Sequence, residues 1–529
     1  MDTERQTVRV GRPGERGHLF IRVWGFLKFT HAAFTTAQSC PDAAFYAHFP
    51  KAPFERPDAA WAEGIGRWLD ELDADVTDVP PRKRGLPKAP GRILEALQPL
   101  SDVGGGLYDR LLAIQATRSG SQHFVKRSEW GPNADFPHDH PGTENDLWPL
   151  LAVARYWTAI DLFYPYQPLL QDWNGALDAA IQAALAPGAA EDRYRAALRI
   201  LIKATRDGHA GLFSDKTRPR VSAGAMCLPF GVRYVENELV VIGSATDLAT
   251  PGERLAAVNG QTIEELRDAY EPLLGSGREA TARLRFALAI TRGDAGEAKV
   301  TLVGAGGLRT VTLPYLERMN RWAWPVRRGD TVQRLGSVAY IQMVFGAEVD
   351  LHRFCEGAWR DVSGIIIDLR SYPRFGFETL VPRYSEPGRP FARAMFPELH
   401  TPGRFRRTSP TQYAGRGEPI TRPTIVLIDE HTASHPEYFA MALAASSWVR
   451  LLGAPTAGAN GNRSFVPMPN GDLACFSGLG IYHVDGSMTQ GVGIAPDIPC
   501  TQQMADTWAG SDSLIDAALR ELGETADGL

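Results

Sequence analysis

Lysine is scarce in this chain. Of 529 residues and 56 basic side chains, eight are lysines, at positions 28, 51, 83, 88, 126, 203, 216 and 299, and none follows 299. A lysine general base is thereby excluded from the C-terminal part. Five cysteines, at 40, 227, 355, 475 and 500, are odd in number and never in CxxC spacing, so neither a disulfide framework nor a zinc site is indicated. They read as small buried hydrophobes. No run reaches the ~18 apolar residues of a membrane span, and the polar start, MDTERQTVRVGRPGERGH, lacks the apolar stretch of a secretory signal. A cytoplasmic location is expected, an exported form being left open. A balance of 56 basic against 61 acidic residues gives no general footprint for nucleic acid or an anionic membrane. GxSxG, HExxH, a Walker A lysine loop and a helix-opening GxGxxG are all missing, and nothing implies a metal or a cofactor.

With 44% hydrophobic and 22% charged residues the composition is that of a folded protein. Its length exceeds the ~250 to 300 residues at which single cores stop growing, so several domains are expected. Residues 1–116 read as a helical region, 117–145 as a Pro-, Gly- and charge-rich linker, and 146–227 as a second helical region ending in DGHAGLF. A weak echo links Arg22, Trp24, Phe29 and Trp61 with Arg155, Trp157, Phe163 and Trp173. Residues 228–316 turn to short alternating runs broken by Gly, Asn and Asp, a small β-rich domain. Within 331–505, SVAYIQMVF, GIIIDLR and TIVLID are apolar strands that alternate with helical stretches such as PEYFAMALAASSW, the pattern of a doubly covered parallel sheet. Residues 506–529 form a closing helix and tail.

The strand TIVLIDE runs into HTASHPEYF, which puts Ser434 at a strand-to-helix turn, where functional groups gather in open α/β sheets. The helix that follows directs unpaired N–H groups and a positive dipole end at an anion formed there. Ser434 is then either a nucleophile or simply an N-cap, since serine is a favoured cap.

The run RPTIVLIDEHTASHPEYFAMALAASSWVRLLGAPTAGANGN, with LPFG, DGHAGLF, SVAYIQMVF…GIIIDLR and GVGIAPDIP, resembles the tricorn and C-terminal processing serine peptidases over about 150 to 502. The resemblance implies a multidomain α/β protein with a helical N-terminal region, a small PDZ-like domain and a ClpP/crotonase-like catalytic domain. PGERLAAVNGQTIEEL matches the PDZ-like strand, turn and helix. Such a domain takes peptides by strand addition. Its carboxylate loop would be LPFGV, with Phe230 and Gly231 as substrate-binding positions and Pro229 removing one donor.

By the same resemblance Ser434 is the nucleophile. The C-terminal processing branch places a lysine base in a TxGK segment, which here reads Thr456-Ala457-Gly458-Ala459, so a Ser/Lys dyad is excluded. The tricorn branch uses a histidine ahead of the PDZ-like domain, and this is His209. Two departures accompany it: Gly208 stands for the family's serine and Gln490 for its glutamate, both of which orient the base. Gln490 is expected to accept an imidazole N–H through its amide oxygen. Glu437 is a supporting residue, and His431 and His435 flank Ser434 as alternative bases. The oxyanion donors are the N–H of His435 and one from the loop 371–376, assigned to Arg374.

The implied function is peptide-bond hydrolysis through an acyl-enzyme, acting on peptide or protein C-terminal segments without nucleic acid, membrane span, metal or cofactor. A homo-oligomer is left open. Two alternatives stand beside it: a degenerate peptidase fold that binds peptides without cutting, and hydrolysis of a non-peptide ester or amide.

Overall fold

The computed structural model describes residues 16–77, 92–103, 106–117, 123–128, 131–134, 142–213, 226–270, 278–293, 296–317, 331–343, 348–373 and 376–524. Much of the expected linker 117–145 lies outside them, and so does Arg374. Among the described residues no helix is long and apolar enough to cross a membrane.

The N-terminal region is helical, with α1 (Arg16–Thr30), α2 (Ala59–Asp75), α3 (Trp148–Phe163), α4 (Trp173–Ala184) and α5 (Ala190–Ala204). Helices α1 and α3 are apolar on nearly all sides and accordingly buried along almost their whole length. The two echoing segments meet in space: Phe29 stands edge-on to Phe163 at 5.2 Å, and the Arg22 guanidinium lies 4.9 Å over Trp157. Helix α5 is amphipathic, burying Tyr194, Ala197, Leu198, Leu201 and Ile202 at three- and four-residue spacing. Thr205 caps it and Arg206 turns the chain out with a φ of 51°. The short strand β1 (Gly211–Phe213) follows.

Next comes a six-stranded antiparallel sheet built from β2 (Phe230–Val235), β3 (Glu238–Ser244), β4 (Arg254–Val258) and β5 (Gln261–Thr262), then, after helix α6 (Glu279–Ile290), β6 (Glu297–Gly304) and β7 (Gly307–Pro314). Strand β2 is an end strand of this sheet, and α6 packs beside it.

The C-terminal domain carries the second large sheet, in the order β8 (Val332–Leu335), β9 (Val338–Gln342), β10 (Gly364–Asp368), β11 (Thr424–Ile428), β12 (Val449–Gly453) and β15 (Ile498–Pro499). The β8–β9 hairpin is antiparallel and the other pairings are parallel. Every residue of β9, β10 and β11 is buried, because helices cover both faces. On one face Leu514, Ile515, Ala518 and Leu519 of α8 (Ser513–Glu521) meet Ile366, Ile425 and Leu427; on the other, Phe439 and Leu443 of α7 (His435–Ala444) meet Ile365, Ile367 and Val426.

A hairpin of β13 (Arg463–Pro467) and β14 (Leu473–Ser477) joins the two ends of the molecule. Strand β1 pairs with β14, Gly211 opposite Cys475 and Phe213 opposite Leu473. Val466, Met468, Ala474 and Phe476 of the hairpin lie in the same apolar core as the N-terminal helices. The seam also has polar contacts: the Tyr156 hydroxyl donates to Cys475 O at 3.2 Å, Tyr194 to Asp472 at 3.0 Å and Arg155 to Pro467 O at 3.0 Å. Burying one such Leu or Phe side chain contributes roughly 1.5 to 3 kcal/mol, so the hairpin and helices act as one packed unit.

Candidate active site

Strand β11 delivers the chain into a tightly bonded turn. Thr432 Oγ1 donates to Leu369 O at 3.1 Å and accepts Asp429 N–H at 3.1 Å, while Ala457 N–H donates to Thr432 O at 3.0 Å. This fixes Ser434 with φ 68° and ψ −120°. An N-cap serine takes extended dihedrals and spends its oxygen on an amide one turn ahead. Ser434 keeps the reciprocal capping contacts with Glu437, yet its backbone is in a strained region costing of order 1 to 3 kcal/mol, and its Oγ also donates to Gly461 O at 3.2 Å.

Glu437 holds that elbow. Its fully buried carboxylate accepts Ser434 N–H at 3.0 Å, Thr456 Oγ1–H at 2.6 Å, Gly458 N–H at 2.9 Å and Ala459 N–H at 2.9 Å. Burial pushes its pKa up, and the four donors pull the other way. Glu437 therefore binds the Ser434 backbone to the 456–459 loop.

His209 stands on the other side of that loop, in the turn between α5 and β1. An added Cβ on its neighbour Gly208 would lie 2.4 Å from Ala459 Cβ, so the turn packs directly on the loop. The imidazole is 6% exposed. Burial holds its pKa well below the ordinary value, and the charges of Arg463 and Arg285 add to this. Nδ1 lies 2.9 Å from Ser477 Oγ; Nε2 has no hydrogen bond among the described residues. Burial raises the Tyr372 phenol pKa, opposed by the charge of Arg463 and by the Ser434 side chain, and the same Arg463 charge acts on His209. Ser434 and His209 thus flank the same 456–461 loop, although no hydrogen bond joins Ser434 to His209. Such bonds are often long before substrate arrives.

Asp207 and Ser477 have no part in the sequence reading. The buried Asp207 carboxylate accepts His209 N–H at 2.9 Å, Ser477 N–H at 2.6 Å, Ser477 Oγ–H at 2.8 Å and Gln490 Nε2–H at 2.6 Å. Burial raises its pKa, opposed by these donors and by Arg285. The expected role of Gln490 needs correction, because its amide faces Asp207 and does not accept from His209. Its Nε2 also lies 3.4 Å from Ser477 Oγ, and its Oε1 is unpartnered. The physical reason is donor economy: an acceptor-only carboxylate at this spot attracts the amide NH2. One signal for Asp207 was present, an acidic residue two positions before the histidine. Ser477 had none, since β1 brings it there from 268 positions away.

His435 begins α7, so its N–H has no partner within the helix. Its ring lies 5.3 Å from Phe377 and 6.3 Å from Phe439, and His431 Nδ1 faces Asp429 Oδ1 at 3.4 Å. Phe230 points into the core of the β-rich sheet, 3% exposed, with Gly231 opposite Gly243. In the same loop Leu228 N–H is already bonded to Thr291 O at 2.8 Å. At the far end of β2 the Arg233 guanidinium pairs with Asp429 at 2.7 Å and Glu430 at 3.1 Å, which ties the strand to the elbow turn. A cavity of about 490 Å³ opens there, lined by Tyr234, Asn237, Arg278 and Leu284 on one side and Glu430 and His431 on the other.

Residues 391–500 match the model of Peptidase family S41. The crystal structure of mature CPAF is similar with 12% identity and a TM-score of 0.53, covering 73% of this chain and 99% of that one. Mature CPAF complexed with lactacystin gives 12% identity and a TM-score of 0.52, covering 69% and 96%. These two share the fold. The photosystem II D1 C-terminal processing protease has 17% identity and a TM-score of 0.42, covering 68% and 94%. No curated protein sequence matches the chain.

Proposed function

On the match of residues 391–500 to Peptidase family S41, we propose that the chain is a serine-type peptidase that cleaves peptide bonds with Ser434 as nucleophile and His209 as general base. The observation that carries this reading is the Ser434 backbone: a φ of 68° at a strand-to-helix turn, a strain that an ordinary N-cap does not need, is the conformation of a presented nucleophile. Ser434 Oγ attacks the scissile carbonyl while His209 Nε2 takes its proton, and His209 later returns that proton to the leaving amine. The backbone N–H of His435 supports the oxyanion at the positive end of α7, and a second donor comes from the loop 371–376, where the resemblance points to Arg374. Each oxyanion donor contributes a factor of about 10² to 10³ in rate.

The substrate enters as an added strand on β2, its terminal carboxylate toward Phe230 and Gly231 and its chain leading past Val235 toward the elbow turn. Six residues of strand span about 20 Å, which carries the peptide from the carboxylate loop to the cavity beside Glu430 and His431.

The test is intact-mass detection of a fluorophosphonate adduct on wild type, Ser434→Ala and His209→Ala. A stoichiometric adduct on wild type, lost in both variants, supports the reading. A folded wild type that takes no adduct but binds C-terminal peptides on the β2 edge overturns it in favour of a non-cleaving peptide-binding protein.

A further inference from the structure

Four donors converge on one buried acid beside the histidine, and their arithmetic fixes a proton. Asp207 as a carboxylate can only accept. The single hydroxyl proton of Ser477 therefore goes to Asp207 Oδ1, at 2.8 Å. Ser477 Oγ has no proton left for the imidazole, 2.9 Å away, so His209 Nδ1 must donate to it. With its proton on Nδ1, the neutral ring has its lone pair on Nε2. The network is anchored at every point: Ser477 N–H and His209 N–H both bind the same carboxylate, Gln490 Nε2 closes its outer side, and Cys475 Sγ–H donates to His209 O at 2.9 Å. The Arg285 guanidinium, bonded to Ala210 O at 3.0 Å and to Gly208 O, is the nearby cation that opposes the rise burial gives the Asp207 pKa.

We propose that Asp207 and Ser477 are the positioning residues of the base, a carboxylate and a hydroxyl in series that hold His209 in the Nδ1–H tautomer and face the imidazolium when it forms. This rests on the reading of His209 as general base. The relay stands in for the two orienting groups whose places hold Gly208 and Gln490, and it draws both members from other positions. When His209 Nε2 takes the Ser434 proton, Nδ1 keeps its own and no proton reaches Asp207. The positive ring is then balanced through one hydroxyl.

The test is ¹⁵N NMR of full-length protein labelled at histidine, with the His209 signals assigned by their loss in His209→Gln, alongside fluorophosphonate labelling rates. Wild type is expected to carry its neutral proton on Nδ1. Asp207→Asn presents an amide N–H to Ser477, reversing the chain of donors and moving the proton to Nε2; Ser477→Ala leaves the tautomer unfixed. Labelling should fall about 10²- to 10⁴-fold in both, as amide-for-carboxylate replacement does behind other catalytic histidines. Ser477→Thr should keep both the tautomer and the rate. A wild-type proton on Nε2, or an unchanged tautomer in folded Asp207→Asn and Ser477→Ala, overturns the relay even if the fluorophosphonate adduct forms. A fixed Nδ1–H that both variants disturb, in a protein that takes no adduct, upholds the relay and refutes the proposed activity.

Discussion

Placing a serine at position 208, where the tricorn branch has one, should damage this protein. An added Cβ would lie 2.4 Å from Ala459 Cβ and 3.1 Å from its Cα, against 3.4 Å for the nearest ordinary contact, so the turn and the loop must part by about 1 Å. Neither side can yield easily. Ala459 N–H and Gly458 N–H are bonded to Glu437 and Gly458 O accepts Gly491 N–H, while Gly208 O is bonded to Arg285. Overpacking of this kind costs about 1 to 3 kcal/mol. At roughly 2 to 4 °C per kcal/mol, Gly208→Ser should lower the melting temperature of the domain by about 2 to 12 °C. Ala459→Gly removes the nearest atom. The double variant should recover at least ~1 kcal/mol relative to additivity, a coupling typical of residues in contact. Calorimetry on wild type, both single variants and the double variant completes the cycle. The reasoning fails if Gly208→Ser melts with wild type, or if Ala459→Gly does nothing to rescue it.

Three further outcomes follow from the site. Gln490→Glu sets a second carboxyl within about hydrogen-bond distance of Asp207, so the pair must share a proton. Its folded pKa rises above the unfolded value, so that contribution is present at low pH and lost as pH rises; the stability deficit of the variant should grow between pH 5 and 8, and a deficit independent of pH would contradict it. Glu437→Gln turns an amide NH2 toward backbone N–H donors, leaves at least one unpaired, and should cost ~1 to 3 kcal/mol per lost partner in a urea titration, with slower fluorophosphonate labelling; unchanged stability would sink this account. Burial first, then Arg463 and Arg285, depresses the His209 pKa, so the neutral base persists as pH falls below 6.5 and is lost only through the lower folded value. The acid limb of the labelling rate should have its midpoint below 6.5 and move upward in Arg463→Gln, and a wild-type midpoint at or above 6.5 would be inconsistent with the buried ring.

What could be read before folding was what the chain encodes locally. Apolar runs such as GIIIDLR and TIVLID mark buried parallel strands, and the abrupt step from TIVLIDE to a helical pattern locates Ser434. His209 came from resemblance to a family motif. The relay behind it was not legible, because Ser477 reaches His209 only through the β1–β14 pairing, whose register no local pattern specifies. Gln490 was assigned the wrong partner for a related reason: an amide offers a donor and an acceptor, and only the arrangement around Asp207 decides which one is used. The fit of Gly208 on Ala459 joins two positions that look like independent departures in the sequence. In space each glycine or alanine makes room for the other.

Because β1 is laid against β14, the order of synthesis has a consequence. The segment carrying Asp207 and His209 leaves the ribosome first, and 268 residues separate His209 from Ser477. At 5 to 20 residues per second that interval is roughly 13 to 54 s, during which His209 lacks the hydroxyl that its Nδ1 faces in the folded chain. On the proposed reading, a nascent chain lacks the assembled site until the last third has been made and the hairpin has docked.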